Sequence, residues 1–190
     1  MKAFGFLSFG HYGHGRGPGD PNAAQALKDA VEIAVGADEI GVNGAYWRVH
    51  HYARQAAAPI PLLSTAGART KRIEVGTGVI DMRYENPLYL AEEVAALDLL
   101  TDQRIAIGIS RGSPEQARRG WETFGYTGSA DPRGVDVARA HTAQFLDAVR
   151  GVPQADLDTS GGMAPGASSR LRIEPHAPGV DRRIWWGAGS

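Results

Sequence analysis

The sequence predicts an α/β protein in which a parallel β-sheet is flanked by helices. Short apolar runs bounded by glycine alternate with amphipathic segments, at roughly 30 residues per strand-helix pair. One stretch shows the whole pattern, because residues 73–112 read as strand, helix and strand in succession. Such a crossover makes its two strands parallel neighbours. Ligands of parallel α/β folds bind at the carboxyl ends of the strands, so the residues that follow each strand are the first candidates for a site.

The first strand and helix are predicted within residues 3–41. Residues 3–9 form the strand, and residues 10–19 form a glycine-rich loop. The helix begins at Asp20–Pro21 and ends near the glycines at positions 36 and 41. Its apolar face is predicted to carry Ala24, Leu27, Val31 and Ala34.

The next pair consists of a strand over residues 41–47 (GVNGAYW) and a helix over residues 59–68. The third strand follows at residues 73–80 (IEVGTGVI), rich in Val and Ile as expected of a strand buried on both faces. Asn86 can cap a third helix whose first residue is Pro87, where the missing N–H is not needed. The apolar stripe of this helix carries Leu90, Val94 and Leu97.

The remaining elements complete a five-strand pattern. Residues 104–112 (RIAIGISRG) contain the fourth strand, and Ser113 to Gln116 resemble the capping box that begins a helix. A further helix is predicted over residues 135–150, and residues 151–170 form a loop or insertion. A small extra strand at residues 171–174 precedes the fifth strand. Residues 183–186 (RIWW) predict that fifth strand, and we treat residues 1–190 as one domain.

Composition restricts the function classes. The chain has 190 residues, a formal net charge of -1, 43% hydrophobic residues and no cysteine, which is typical of an ordinary globular domain. Disulfides and thiolate metal sites are excluded, and the absence of a basic run argues against nucleic acid or a membrane as the partner. The N-terminus lacks the pattern of a signal peptide, so a cytoplasmic location is expected.

Periodicity alone leaves two architectures open. A doubly wound sheet and a closed barrel produce the same strand-helix rhythm, and an eight-stranded barrel typically takes about 250 residues. Five predicted strands therefore indicate either an open sheet or the first part of a barrel.

A family resemblance distinguishes these architectures. Residues 76–112 (GTGVIDMRYENPLYLAEEVAALDLLTDQRIAIGISRG) resemble the central signature of the luciferase-like flavin monooxygenases, which are TIM barrels. Residues 41–52 (GVNGAYWRVHHY) resemble the second strand and double histidine of that family, although Val49 stands where many members have glutamate. Residues 183–190 resemble its fifth strand. The resemblance implies an incomplete (β/α)8 barrel of about five units, which we expect to be the N-terminal portion of a longer protein.

The same resemblance implies chemistry and site residues. Members bind FMN, or coenzyme F420 in a related branch, and use the reduced cofactor to oxidise or reduce a small organic substrate. Gly78–Val79 matches a non-proline cis peptide under the flavin ring, Arg111 matches the arginine that binds the cofactor phosphate, and His50 matches the catalytic histidine. Ser8 and Thr77 are expected at the ring edge, and Ser190 where a phosphate grip begins. A separate flavin reductase and a homo-oligomer are the expected partners.

Two alternatives remain open at this stage. Five strands leave an edge of unpaired backbone groups, so the chain could be a non-catalytic flavoprotein or a partner subunit. A metal-dependent hydrolase would use histidines after the first strand together with ligands from later strands. The candidate ligands by type are His11, His14, His50, His51, Asp81 and Asp102, although their spacing matches no metal motif. The sequence distinguishes neither FMN from F420 nor one substrate from another.

Overall fold

The computed structural model describes residues 3–13, 19–113, 116–164 and 166–187. A five-stranded, wholly parallel sheet forms its centre. The strands in the described residues are Gly5–Ser8 (β1), Gly44–Trp47 (β2), Glu74–Asp81 (β3), Ile105–Ser110 (β4), Ala155–Asp156 (β5), Arg170–Leu171 (β6) and Ile184–Trp186 (β7). The sheet order is β1-β2-β3-β4-β7, and β5 and β6 form a separate antiparallel pair.

Helices connect the strands of this sheet. The α-helices are Ala23–Glu39 (α1), Pro59–Arg69 (α2), Pro87–Leu100 (α3) and Val135–Val149 (α4). Two short 3-10 helices, Gly120–Phe124 and Val180–Arg183, precede α4 and β7 respectively. In the described part of the chain, no helix is long and apolar enough to cross a bilayer.

The strand order selects between the two architectures. Each strand of the sheet lies beside the one before it, from β1 to β4 and then β7. A doubly wound sheet reverses direction at a switch point, whereas a (β/α)8 barrel adds its strands in one direction. The monotonic order therefore confirms the predicted barrel-type sheet, of which five strands are present.

Helix caps explain two helix starts. The Asn86 side chain accepts hydrogen bonds from the backbone N–H groups of Leu88 and Tyr89 at 3.0 and 3.1 Å, as predicted. The start of α1 was predicted at Asp20–Pro21, but the helix begins after Asn22. The Asn22 side-chain oxygen Oδ1 accepts a hydrogen bond from the Gln25 backbone N–H at 2.9 Å, which makes Asn22 the cap.

The buried face of α1 differs from the predicted one. Val31 and Ala34 are buried as expected, whereas Ala24 and Leu27 are exposed. The face against the sheet is instead made of small residues, which let the helix approach closely: Ala26, Ala30, Val31, Ala34 and Ala37. Leu27 borders a groove between α1 and α2, described below.

Two predictions after β4 were wrong. The described residues between Ser113 and Gly120 form bends and turns rather than the helix predicted from the capping pattern at Ser113. Within the predicted loop 151–170, residues 155–156 pair with residues 170–171, so the extra strand predicted at 171–174 belongs to a hairpin outside the main sheet. The α4 and β7 predictions were confirmed within one residue at each end.

The core lies between the helices and the outer face of the sheet. Every residue of β4 is buried, and the largest fully buried side chains include Trp47, Phe145, Leu63 and Ile80. The glycines on the barrel side leave little space between strands, since a Cβ at Gly76 would lie 2.1 Å from the Ala106 carbonyl oxygen. This packing fixes β3 and β4, whose carboxyl ends carry the predicted site.

Candidate functional site

The carboxyl ends of β2, β3 and β4 enclose a cleft of about 220 Å³. Its lining consists of Arg48, Val49, His50, Gly78, Val79, Asp81, Ser110 and Ser113. Three of the predicted site residues, His50, Gly78 and Val79, therefore meet in one cavity although they lie on different strands. These residues meet because the carboxyl ends of parallel strands lie at the same edge of the sheet.

The peptide bond between Gly78 and Val79 is cis, as predicted from the resemblance. The pairing of β3 with β4 is irregular at this point, since the register shifts between Thr77 and Ile80. A side chain at position 78 would have its Cβ 3.0 Å from Leu7 Cδ1, so glycine suits this position. The structure thus contains the expected cis peptide bond, and the role of this bond under a flavin ring stays a prediction.

His50 borders the cleft in a half-buried position. Its backbone N–H donates to the Ala56 carbonyl oxygen at 3.1 Å, which fixes the backbone at the end of β2. Burial lowers the pKa of the His50 imidazole and the positive charge of Arg48 lowers it further, while the Asp81 carboxylate opposes both effects. The imidazole is therefore neutral near pH 7 and can accept a proton.

A buried ion pair supports the floor of the cleft. Arg83 Nε lies 2.9 Å and 3.0 Å from the two carboxylate oxygens of Asp81, and both side chains are almost fully buried. Arg83 also donates to the carbonyl oxygens of Ser113 and Arg133 at 2.8 and 3.0 Å, and its guanidinium lies 4.8 Å from the Trp121 ring centre. One side chain thus connects β3 to the segment that follows β4.

Arg111 lines a second cavity beside the cleft, with a volume of about 390 Å³. Arg139 and Thr142 of α4 and Trp186 of β7 line the same cavity. Within the described residues, neither Arg111 nor Arg139 forms an ion pair, and the buried Thr142 Oγ1 has no hydrogen-bond partner. Two unpaired guanidinium groups and one available hydroxyl make a donor set that fits a phosphate.

Sequence reasoning did not identify Arg139 and Thr142. They lie one turn apart on α4, within a segment whose local pattern indicates only an amphipathic helix. Their spacing of three residues places them on one helix face, but only the fold brings that face next to Arg111. No local signal could have connected them to the strand end.

Two of the remaining predicted cofactor residues, Thr77 and Ser8, do not line the cleft. The Thr77 hydroxyl donates to the Gly108 carbonyl oxygen at 2.9 Å and borders a separate cavity of about 290 Å³ towards the barrel interior. Ser8 Oγ accepts from the Gly10 N–H at 3.3 Å, a local contact at the end of β1. Ser190 lies outside the described residues. The flavin contacts assigned to these three residues stay predictions.

The sequence of the chain matches a known protein family. The family model described as luciferase-like monooxygenase matches residues 2–190. The chain belongs to that family. Its sheet, with five strands added in one direction, is accordingly part of a luciferase-like TIM barrel.

The luciferase-like chain is similar to three known proteins over roughly half its length. It is 31% identical over 109 residues to 4-hydroxyprotoasukamycin monooxygenase of Streptomyces nodosus subsp. asukaensis, covering 56% of this chain and 29% of that protein. It is 32% identical over 91 residues (47% and 25%) to the oxygenase component of flavin-dependent trigonelline monooxygenase of Acinetobacter baylyi. It is 30% identical over 93 residues (45% and 27%) to F420-dependent glucose-6-phosphate dehydrogenase of Amycolatopsis mediterranei.

Two solved structures share the fold of the luciferase-like chain. Monooxygenase RslO1 of Streptomyces bottropensis superposes with a TM-score of 0.71 at 21% identity, covering 97% of this chain and 53% of that one. The oxygenating constituent of 3,6-diketocamphane monooxygenase of Pseudomonas putida, solved with FMN, gives a TM-score of 0.67 at 18% identity, with coverages of 90% and 47%. The chain spans about half the length of these relatives.

The second histidine of the pair, His51, does not line the cleft. His51 stacks on Tyr84 with ring centres 4.2 Å apart, and its Nε2 lies 3.9 Å from Glu85 Oε1. Burial lowers the pKa of His51, with Asp81 opposing this effect and His50 adding to it. Burial, with smaller contributions from the negative charges of Glu93 and Asp81, raises the pKa of Glu85 to about 7. Both shifts of pKa favour the uncharged forms of the two side chains.

Those metal-site candidates that the structure describes do not form one cluster. Asp102 precedes β4 at the amino edge of the sheet, opposite to the edge where His50 and Asp81 lie. His11 Nε2 lies 2.7 Å from Gln55 Nε2, and His14 is outside the described residues. Among the residues that the structure does describe, no group of three or more metal-ligating side chains could hold an ion. No observation therefore favours the metal-dependent hydrolase.

Proposed function

We propose that this luciferase-like domain binds reduced FMN, or coenzyme F420, at the carboxyl edge of β2, β3 and β4 and acts on a small organic substrate there. The observation that carries the proposal is the convergence of His50, the cis Gly78–Val79 bond and Arg111 on one edge of the sheet. Known relatives of this family include a flavin-dependent oxygenase component and an F420-dependent dehydrogenase. An oxidoreductase or monooxygenase role at family level follows from that membership.

The donor set beside the cleft supports a phosphorylated cofactor. Arg111 and Arg139 carry permanent positive charge, and the buried Thr142 hydroxyl can donate one hydrogen bond without losing another within the described residues. FMN and F420 both carry a phosphate group and a tricyclic ring. In the proposed arrangement these side chains hold the phosphate, and the Gly78–Val79 backbone supports the ring.

His50 would move the proton in the reaction. Its lowered pKa keeps the imidazole neutral at physiological pH, so it can take a proton from the substrate or the cofactor edge. The reduced cofactor, when bound, supplies a hydride or the electrons that activate oxygen. One known relative is named as an oxygenase component, and on that basis we propose that a separate reductase delivers reduced flavin to this chain.

Cofactor titration of the purified full chain tests the proposal. FMN and F420 are added separately while fluorescence is followed, and saturable binding of one cofactor is expected. Arg139→Ala should weaken that binding about tenfold or more through loss of a charge-assisted contact, whereas Arg182→Ala, an exposed arginine on the 3-10 helix before β7, should leave it unchanged. Absence of saturable binding to both cofactors would overturn the proposal.

Turnover distinguishes the enzyme from a non-catalytic flavoprotein. His50→Asn should retain cofactor affinity within about threefold, because the imidazole is not among the groups that line the phosphate cavity. Oxidation of the reduced cofactor in the presence of a small-molecule substrate panel should fall strongly in that variant. Equal rates in the wild type and His50→Asn would remove His50 from the mechanism. A wild-type rate that no substrate increases would favour the non-catalytic alternative.

A further inference from the structure

A fourth cavity lies on the other side of β2, between α1 and α2, and has a volume of about 520 Å³. We call it the helix groove. Trp47, which is fully buried, lines it together with small or apolar side chains of both helices, including Ala23, Leu27, Ala30 and Leu62. A volume of this size is within the range of small-molecule sites, which are typically about 300–1,000 Å³ and mostly apolar.

Two buried polar atoms belong to residues that line the helix groove. The Trp47 indole Nε1 and the Gln55 side-chain Oε1 are both buried, and neither has a hydrogen-bond partner among the described residues. A buried polar group without a partner destabilises the folded state, because it has lost its hydrogen bonds to water. Most such groups in folded proteins are satisfied, so two of them beside one apolar cavity indicate that something else completes them.

The two atoms have complementary chemistry. The indole N–H can only donate, and the amide oxygen of Gln55 can only accept. The amide of Gln55 is oriented by His11, whose Nε2 lies 2.7 Å from Gln55 Nε2, and this contact leaves the oxygen available. The Glu32–Arg69 ion pair links α1 to α2 at the edge of the groove, where the two charges neutralise each other, and Lys28 also lines the groove.

We propose that the helix groove is a second ligand site, separate from the cofactor cleft, for a small amphiphile. The ligand has an apolar body that contacts the helix side chains. Its head accepts a hydrogen bond from Trp47 and donates one to Gln55, as a primary carboxamide does. A single water molecule could bridge the two polar atoms, but it would leave the apolar walls of a 520 Å³ groove without contacts.

Isothermal titration with octanamide tests this site. Octanamide combines an apolar tail with a head that both accepts and donates, and saturable binding of one molecule per chain is expected. N,N-dimethyloctanamide keeps the acceptor but has no N–H to donate, so it should bind about tenfold more weakly. Absence of saturable octanamide binding would overturn the proposal and leave water as the partner of the two polar atoms.

A matched pair of variants locates the binding. Ala23 lines the helix groove and Ala24 does not, although both are exposed residues in the first turn of α1. Ala23→Trp should fill the mouth of the groove and weaken octanamide binding at least tenfold, whereas Ala24→Trp should leave it unchanged. Equal binding in the two variants would place the ligand elsewhere and contradict the proposal.

Two further variants test the head-group contacts. Gln55→Leu should abolish the preference for octanamide over its dimethyl analogue, because the acceptor for the N–H is gone. Trp47→Phe keeps an aromatic ring but removes the donor, and should weaken both ligands about tenfold. FMN should not displace octanamide, so failure of this site and failure of the cofactor proposal are separate results. Retention of the full preference in Gln55→Leu would show that the proposed head contact is wrong.

Discussion

The cofactor cleft and the helix groove lie on opposite sides of the same strand, β2. Trp47, the last residue of β2, faces the helices and lines the groove, whereas Arg48 and His50, just after it, line the cleft. Successive side chains of a strand point to opposite faces, so one short segment contributes to two sites. The cleft is polar and contains a buried ion pair, while the groove is apolar with two isolated polar atoms.

This difference predicts on which side of β2 a change of charge will affect the stability of the protein. The cleft depends on charges that are held inside the protein, chiefly Asp81 and Arg83. Among the groove residues that the structure describes, Glu32 and Arg69 form an ion pair that is exposed to solvent. We therefore expect charge changes to disturb the cleft side strongly and the groove side very little.

The largest expected change in stability comes from breaking the buried ion pair of Asp81 and Arg83. Asp81→Asn leaves the Arg83 guanidinium buried without its countercharge, and should lower the free energy of unfolding by about 3–5 kcal/mol. Urea denaturation measures the change. Glu32→Gln, the corresponding substitution in the exposed pair of the groove, should leave the midpoint unchanged. Similar losses in both variants would contradict the contrast between the two sides.

The pH dependence of stability should trace to Glu85, a largely buried carboxyl that follows β3 and lies beside His51. The pKa of Glu85 rises from its ordinary value of 4.5 to about 7, because the folded chain buries the carboxyl. Between those two values the folded chain holds a proton that the unfolded chain has released, so stability falls as pH rises, by about 3 kcal/mol in total. Glu85→Gln cannot lose that proton and should remove this fall.

Urea denaturation at pH 5 and pH 8 measures the Glu85 effect. The wild type should lose more stability than Glu85→Gln over this interval. Glu32→Gln should follow the wild type, since the hydrogen bond to Arg69 lowers the pKa of Glu32 and its titration falls below the interval. An identical fall in the wild type and Glu85→Gln would show that another group controls the pH dependence.

The smallest expected effect is a weakening of FMN binding when the Thr142 hydroxyl is removed. Thr142→Val removes the buried hydroxyl at nearly constant volume, and FMN binding should weaken by about 0.5–1.5 kcal/mol as one hydrogen bond is lost. The stability of the cofactor-free chain should not decrease, because the hydroxyl has no partner within its described surroundings. Octanamide binding in the groove is the matched control and should not change. Unaltered FMN affinity would exclude Thr142 from the phosphate site.

The sequence was sufficient for the parts of the fold that are determined locally. Local sequence patterns predicted the buried strands bounded by glycine and the helix start at Asn86–Pro87. The family resemblance predicted the cis Gly78–Val79 bond. The same edge rule that predicted the site also explains why His50 and Gly78 meet.

The remainder depends on contacts distant in sequence. The capping pattern at Ser113 predicted a helix, but the Ser113 carbonyl oxygen instead accepts a hydrogen bond from Arg83, thirty positions earlier. Arg139 and Thr142 join Arg111 only because α4 packs near the end of β4. No local sequence pattern predicts the helix groove either, since small side chains such as Ala23 and Ala30 indicate only an ordinary helix face.

The most direct test of the cofactor site compares FMN with riboflavin, which lacks the phosphate, in the wild type and in Arg111→Ala. The wild type should bind FMN more tightly than riboflavin by about 1.5–3 kcal/mol, the contribution of a charge-assisted contact. In Arg111→Ala most of that preference should disappear, while riboflavin affinity stays the same. An undiminished preference for FMN in Arg111→Ala would contradict the account, because the phosphate would then be bound somewhere other than beside Arg111.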